Sequence, residues 1–147
     1  MAFGKGGSKE AARDLGLLVL RLGLGFNLLI LHGWPKLTGG TQLWSAIGGD
    51  MQHFGIRFAP VFWGFMAALA ESAGSILLIL GVLFRPAAAI LAINMLVAVS
   101  HHLHLAAGAP NSGWNGASFA ASLLAVYLGL LLTGPGRFSL GPNWKRG

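Results

Sequence analysis

Four long apolar runs separated by short polar stretches set the pattern of this chain. They cover about residues 15–33, 60–84, 87–107 and 117–133. Each is close to the roughly 20 residues that a helix needs to cross a bilayer at about 1.5 Å per residue. Pro35, Thr38, Gly39 and Gly40 mark the end of the first run, Arg85-Pro86 the end of the second and Gly134-Pro135-Gly136 the end of the fourth. Glycine and proline at these places are the usual helix stops. Leu37 to Pro60 is too polar to cross, since it holds Trp44, Asp50, His53 and Arg57. Its alternation predicts a short amphipathic helix lying on the surface. The expectation is an all-α, integral membrane four-helix bundle with a longer first extracytoplasmic loop. It forms one domain over residues 1–147, with 1–14 and 134–147 as cytoplasmic tails.

Charge fixes the expected orientation. One side of such a bundle carries Lys5, Lys9, Arg13, Arg85, Arg137, Lys145 and Arg146, while the other carries only Lys36 and Arg57. Basic residues collect on cytoplasmic flanks, so both termini are predicted to be cytoplasmic. The charged front before the first run resembles a signal peptide, but His32-Gly33-Trp34-Pro35-Lys36 follows where a small-residue cleavage site would stand. The run is therefore read as a retained helix.

Composition narrows the chemistry. Only 10% of residues are charged and 54% are hydrophobic, against a globular norm of about a quarter charged. The net charge of +6 is scattered singly among apolar runs and forms no stripe, which argues against a nucleic-acid partner. With 0 Cys, a structural disulfide, a thiolate metal site and an iron–sulfur cluster are excluded. There is no phosphate-cradling glycine motif, no Gly-x-Ser-x-Gly elbow and no His-Glu-x-x-His.

Glu71 is the sharpest chemical signal, because a carboxylate near mid-membrane is costly unless neutral or partnered. Counted from the cytoplasmic ends of their helices, Arg21 and Glu71 lie within a few ångströms of the same depth. An Arg21–Glu71 pair is expected as the intramembrane polar centre, either structural or with Glu71 carrying protons beside a bound ligand. His101 and His104 share a helix face, and His32 should lie at a similar depth. These three imidazoles could hold a metal, or a facing pair a haem iron. Alternatively His32 or His101 donates to a quinone carbonyl while Trp34, Trp44 or Trp114 stacks on the ring. Asn27 and Asn94 are read as interhelical hydrogen-bonders. Asp14 and Asp50 have no evident partner, and small residues around Ala67, Ala70, Gly74, Gly116 and Ala120 suit close helix packing within the bundle and, more weakly, a homo-oligomer seam.

The order Arg21-Leu-Gly-Leu-Gly, His32-Gly33, Lys36-Leu37, then Glu71, Ile79-Leu80-Gly81 and Arg85, with the ending Gly134-Pro135-Gly136-Arg137-Phe138-Ser139-Leu140, resembles the DoxX family over about residues 15 to 141. The resemblance implies a small four-helix protein of a prokaryotic inner membrane. The family is named for a subunit associated with a terminal quinol oxidase and thiosulfate:quinone oxidoreduction. Arg21, His32, Lys36, Glu71 and Arg85 match its positions, which adds Lys36 to His32, Trp34 and His101 as candidate contacts to a quinone or haem. Two departures stand out: Gly141 replaces an Asp found in many members, and Asn115 and Ser118 stand where many carry an acidic residue. The function implied is an accessory subunit of quinone-linked redox chemistry with a redox-enzyme partner. The alternatives are a small proton-coupled or purely structural bundle, and a haem or metal protein built on His32, His101 and His104.

Overall fold

The computed structural model describes residues 5–141; Met1–Gly4, and Lys145 and Arg146 of the basic ending, lie outside them. Every regular element among the described residues is helical. They are α1 (Lys5–Leu28), a π-helical turn (Leu29–Gly33), α2 (Trp34–Thr38), α3 (Gly40–Gly48), a 3-10 turn (Gly49–Phe54), α4 (Pro60–Leu80), α5 (Phe84–His104) and α6 (Gly113–Thr133). Four stretches are long and apolar enough to span a membrane: Gly7–Thr38, Pro60–Leu80, Phe84–His104 and Gly113–Thr133. The four-helix membrane bundle expected from the sequence is the fold found.

The first helix corrects the expected boundaries at both of its ends. It already runs from Lys5, within the stretch read as a tail, and it does not stop at Gly33. Pro35 has no N–H to donate, and its ring would press on the carbonyl four residues back, that of Leu31. The helix absorbs this by widening just before it: the Trp34 N–H bonds to the Leu29 carbonyl, five residues back. Such π turns often sit at functional places. Helical geometry then carries on through α2 to Thr38, and Lys36 stays on the helix instead of passing into a loop.

The amphipathic helix of the first loop exists as α3, yet it is seated on α4 and not loose on the surface. A Cβ at Gly48 would overlap the Pro60 carbonyl, and one at Gly64 would overlap the Trp44 carbonyl. The Trp44 indole donates to the Lys36 carbonyl at 2.7 Å and meets Phe65 edge-on at 5.0 Å. Leu78, Leu91, Met95, Ala117, Leu123 and Tyr127 fill the centre of the bundle. Large apolar side chains such as Val19, Ile30, Ile93 and Leu132 cover its outside. A soluble monomer rarely exposes so much contiguous apolar surface, whereas a bilayer requires it.

Arg21 is 1% exposed and is committed to the end of α4. Its Nε donates to the Leu78 carbonyl at 3.0 Å and its Nη2 to the Ile79 carbonyl at 2.7 Å. Nη1 reaches the Pro135 and Phe138 carbonyls at 2.9 and 2.6 Å. A helix end leaves its last four carbonyls unpaired, which is costly where water is scarce. Here all four are answered. Gly81, at φ +69°, sends its N–H to Leu78 and Val82 sends its own to Leu77, the Schellman pattern that glycine makes accessible. Arg21 takes Ile79, and the Leu140 N–H takes Leu80 at 2.9 Å. The C-terminal Gly-Pro-Gly-Arg-Phe-Ser-Leu segment is thus strapped to α4 through Arg21. Asp14 joins in, since its Oδ1 accepts the Arg137 backbone N–H at 3.1 Å. This supplies the partner that the sequence did not reveal.

Candidate functional site

The expected Arg21–Glu71 pair does not form. Arg21 sits level with Leu78 and Ile79, about two helical turns from Glu71, or roughly 10 Å along α4. The second span ends at Leu80 and not at Phe84, and Arg21 lies level with its last turn, so Glu71, nine residues before that end, is out of the guanidinium's reach. Its partner is Lys36. The Lys36 ammonium donates to Glu71 Oε1 at 2.7 Å, and the Asn94 side-chain amide donates to the same oxygen at 2.6 Å.

Local backbone geometry explains this pairing. Gly33, on the π turn, lies directly against α4: a Cβ there would sit 2.9 Å from the Glu71 carbonyl carbon and the Ser72 nitrogen. Lys36 follows three residues later on the same face, and its flexible stem carries the ammonium inward. Asn94 reaches Glu71 from α5, so the interhelical role expected of it is met. Asn27, by contrast, lies on an exposed face of α1 and makes no interhelical bond among the described residues.

Above Glu71, towards the end of the bundle that carries the first loop, a cavity of about 130 Å³ opens between α1, α4, α5 and α6. His32, Lys36, Glu71, His102 and Phe119 give it its character, with Met95 and Leu123 among the apolar walls. The His32 ring lies beside Phe119, centroids 6.0 Å apart and planes at 27°. His102 Nδ1 is 2.9 Å from the Asn111 carbonyl. A carbonyl only accepts, so Nδ1 carries the proton, which leaves Nε2 available as an acceptor or ligand. Ionic, imidazole and aromatic groups therefore meet around a space the size of one ring; a cavity of about 150 Å³ is enough for benzene.

The other sequence candidates lie elsewhere. Trp34 is 60% exposed and Trp114 66% exposed, so neither lines the cavity, while Trp44 is engaged with Lys36 and Phe65. His101 Nδ1 stands 2.8 Å from Asp50 Oδ1, giving that aspartate the partner the sequence did not show. His104 stacks on His53 with centroids 4.0 Å apart, and its Nδ1 donates to the Ser100 carbonyl at 2.8 Å. His32, His101 and His104 are thus not brought together, because one helical face turns His101 and His104 towards the 3-10 turn and away from α1. Among the described residues no group of three His, Cys, Asp or Glu side chains is placed to hold a metal ion. A porphyrin would also far exceed the space between His32 and His102. Arg85 is exposed at the start of α5.

Sequence reasoning missed His102 and Phe119. His102 lies off the face that His101 and His104 share, which is the very reason it meets the cavity between α1 and α6. Phe119 offered no signal, being one of 9 phenylalanines in an apolar chain.

The sequence model of the DoxX family matches residues 16–104. The chain is also 31% identical over 140 residues to a protein of Escherichia coli (strain K12) described as inner membrane protein YphA, covering 88% of this chain and 91% of that one. No solved structure matches.

Proposed function

The chain belongs to the DoxX family and is an integral membrane protein, and on that premise we propose that it binds the head group of a quinone as an accessory subunit of quinone-linked electron transfer. The observation that carries this reading is the single-ring cavity lined by His32, Lys36, Glu71, His102 and Phe119. A quinone ring presents two carbonyl oxygens on opposite edges and two flat faces. His32 and Lys36 supply N–H donors for the oxygens, His102 Nε2 can accept from a hydroxyl of the reduced form, and Phe119 offers a face for the ring. When bound, the quinone supplies two-electron chemistry coupled to protons. The protein's own part is to orient the ring and to hold charge beside it, through the Lys36–Glu71 ion pair. A redox-enzyme subunit would supply or remove the electrons.

Location accords with this. The relative is an inner membrane protein, and the excess of Lys and Arg on the side of the termini supports a cytoplasmic position for both. The cavity then opens near the outer face of the inner membrane.

Binding of a short-chain benzoquinone to the purified chain in lipid nanodiscs tests the reading, with tryptophan quenching as the readout. Saturable binding that weakens about tenfold in His32→Ala and in Phe119→Ala, roughly 1.4 kcal/mol each, is the expected result. Equal quenching of wild type and both variants, as given by mere partitioning into lipid, would remove the quinone from consideration.

A further inference from the structure

Below the cavity, three buried polar atoms have no hydrogen-bond partner among the described residues: Glu71 Oε2, Ser75 Oγ and Tyr127 Oη. All three residues are nine-tenths buried or more, at 1%, 0% and 0% exposure. Native proteins pair the great majority of such groups with protein or ordered water. The low dielectric of a membrane bundle makes an unpaired one more costly still.

All three side chains are buried inside the bundle. Glu71 and Ser75 are four residues apart and share one face of α4. Ser75 and Tyr127 lie each about fifteen residues into helices that enter from the same end of the bundle, hence at nearly the same depth, roughly 22 Å in. Tyr127 is also within electrostatic reach of the Glu71 carboxylate. One oxygen of Glu71 is engaged by Lys36 and Asn94, and the other is the buried atom without a partner.

We propose that Glu71, Ser75 and Tyr127 line an internal water site on the inner side of Glu71. The hydrogen-bond inventory fits a water molecule. Oε2 accepts, while the two hydroxyls each donate and accept, so water can donate to Oε2 and receive from Tyr127 or Ser75. A buried water needs two to four polar partners, and three are present. Glu71 is then held from both sides, by Lys36 and Asn94 at one oxygen and by water at the other. The site does not depend on what occupies the cavity above.

Infrared spectroscopy of the full chain in nanodiscs tests it. A weakly hydrogen-bonded O–H stretch that shifts on exchange into H2(18)O is expected in wild type and lost in both Tyr127→Phe and Ser75→Ala. Thermal unfolding gives a second readout, because Tyr127→Phe keeps the ring and its packing. Loss of a water-bonded hydroxyl should lower the midpoint by about 3 °C. An unpartnered hydroxyl would instead leave it unchanged or raise it. Absence of an isotope-sensitive band, or a midpoint that does not fall, overturns the proposal.

Discussion

Replacing Lys36 with methionine probes the central ion pair with little change of shape. The stem keeps its length and its apolar contacts, but the 2.7 Å contact to Glu71 disappears. The Glu71 side chain is 2% exposed and Lys36 29% exposed. Removing one partner of a fully buried pair costs about 3–5 kcal/mol, because the remaining charge is stranded. Water reaches Lys36, and Asn94 still donates to Glu71, so the expected loss is smaller, about 2–3 kcal/mol. Glu71→Gln keeps volume and an acceptor for Asn94 and should cost about 1–2 kcal/mol. In the double variant no charge is stranded, so its cost should approach that of Glu71→Gln alone, a coupling of about 2 kcal/mol. The same cycle between Arg21→Met and Glu71→Gln should be additive within about 0.5 kcal/mol, since Arg21 touches carbonyls two turns away. Denaturant unfolding in mixed micelles, followed by circular dichroism, supplies the four stabilities of each cycle. A larger coupling for Arg21 than for Lys36 would refute the assignment and restore the pair that the sequence suggested.

Arg21→Lys retains the charge, but one ammonium cannot span the Leu78 and Ile79 carbonyls together with those of Pro135 and Phe138. We expect a loss of about 2–4 kcal/mol and faster tryptic cleavage after Arg137, read by mass spectrometry. Gly64→Ala drives a methyl into the Trp44 carbonyl, so α3 should lift from α4 at a cost of about 1–3 kcal/mol or more, with a red shift in tryptophan emission. Gly33→Ala pushes the π turn off the Glu71–Ser72 backbone, which should separate Lys36 from Glu71. Acetylation of Lys36 in intact protein, followed by peptide mapping, should then run severalfold faster than in wild type.

Four apolar runs, their stops and the scarcity of charge were legible in the chain because a bilayer dictates length and composition residue by residue. Those constraints are local, so 15–33, 60–84, 87–107 and 117–133 each overlap a helix long and apolar enough to span a membrane. Glu71 and Arg21 also stood out alone, since a charge in an apolar run needs an answer whatever its neighbours. Which group answers is not a local property. Pro35 read as a stop, yet a π turn carried the helix past it and brought Lys36 to Glu71. Arg21 lay near Glu71 in counted depth, yet α4 ended four residues earlier than expected, and its orphan carbonyls claimed the guanidinium. His102 and Phe119 joined His32 through the packing of α5 against α6, whose rotation no periodicity in a uniformly apolar helix can reveal. Sequence set the medium and the number of crossings; tertiary packing chose the partners, because a few residues of shift or a part-turn of rotation decides which buried polar groups meet.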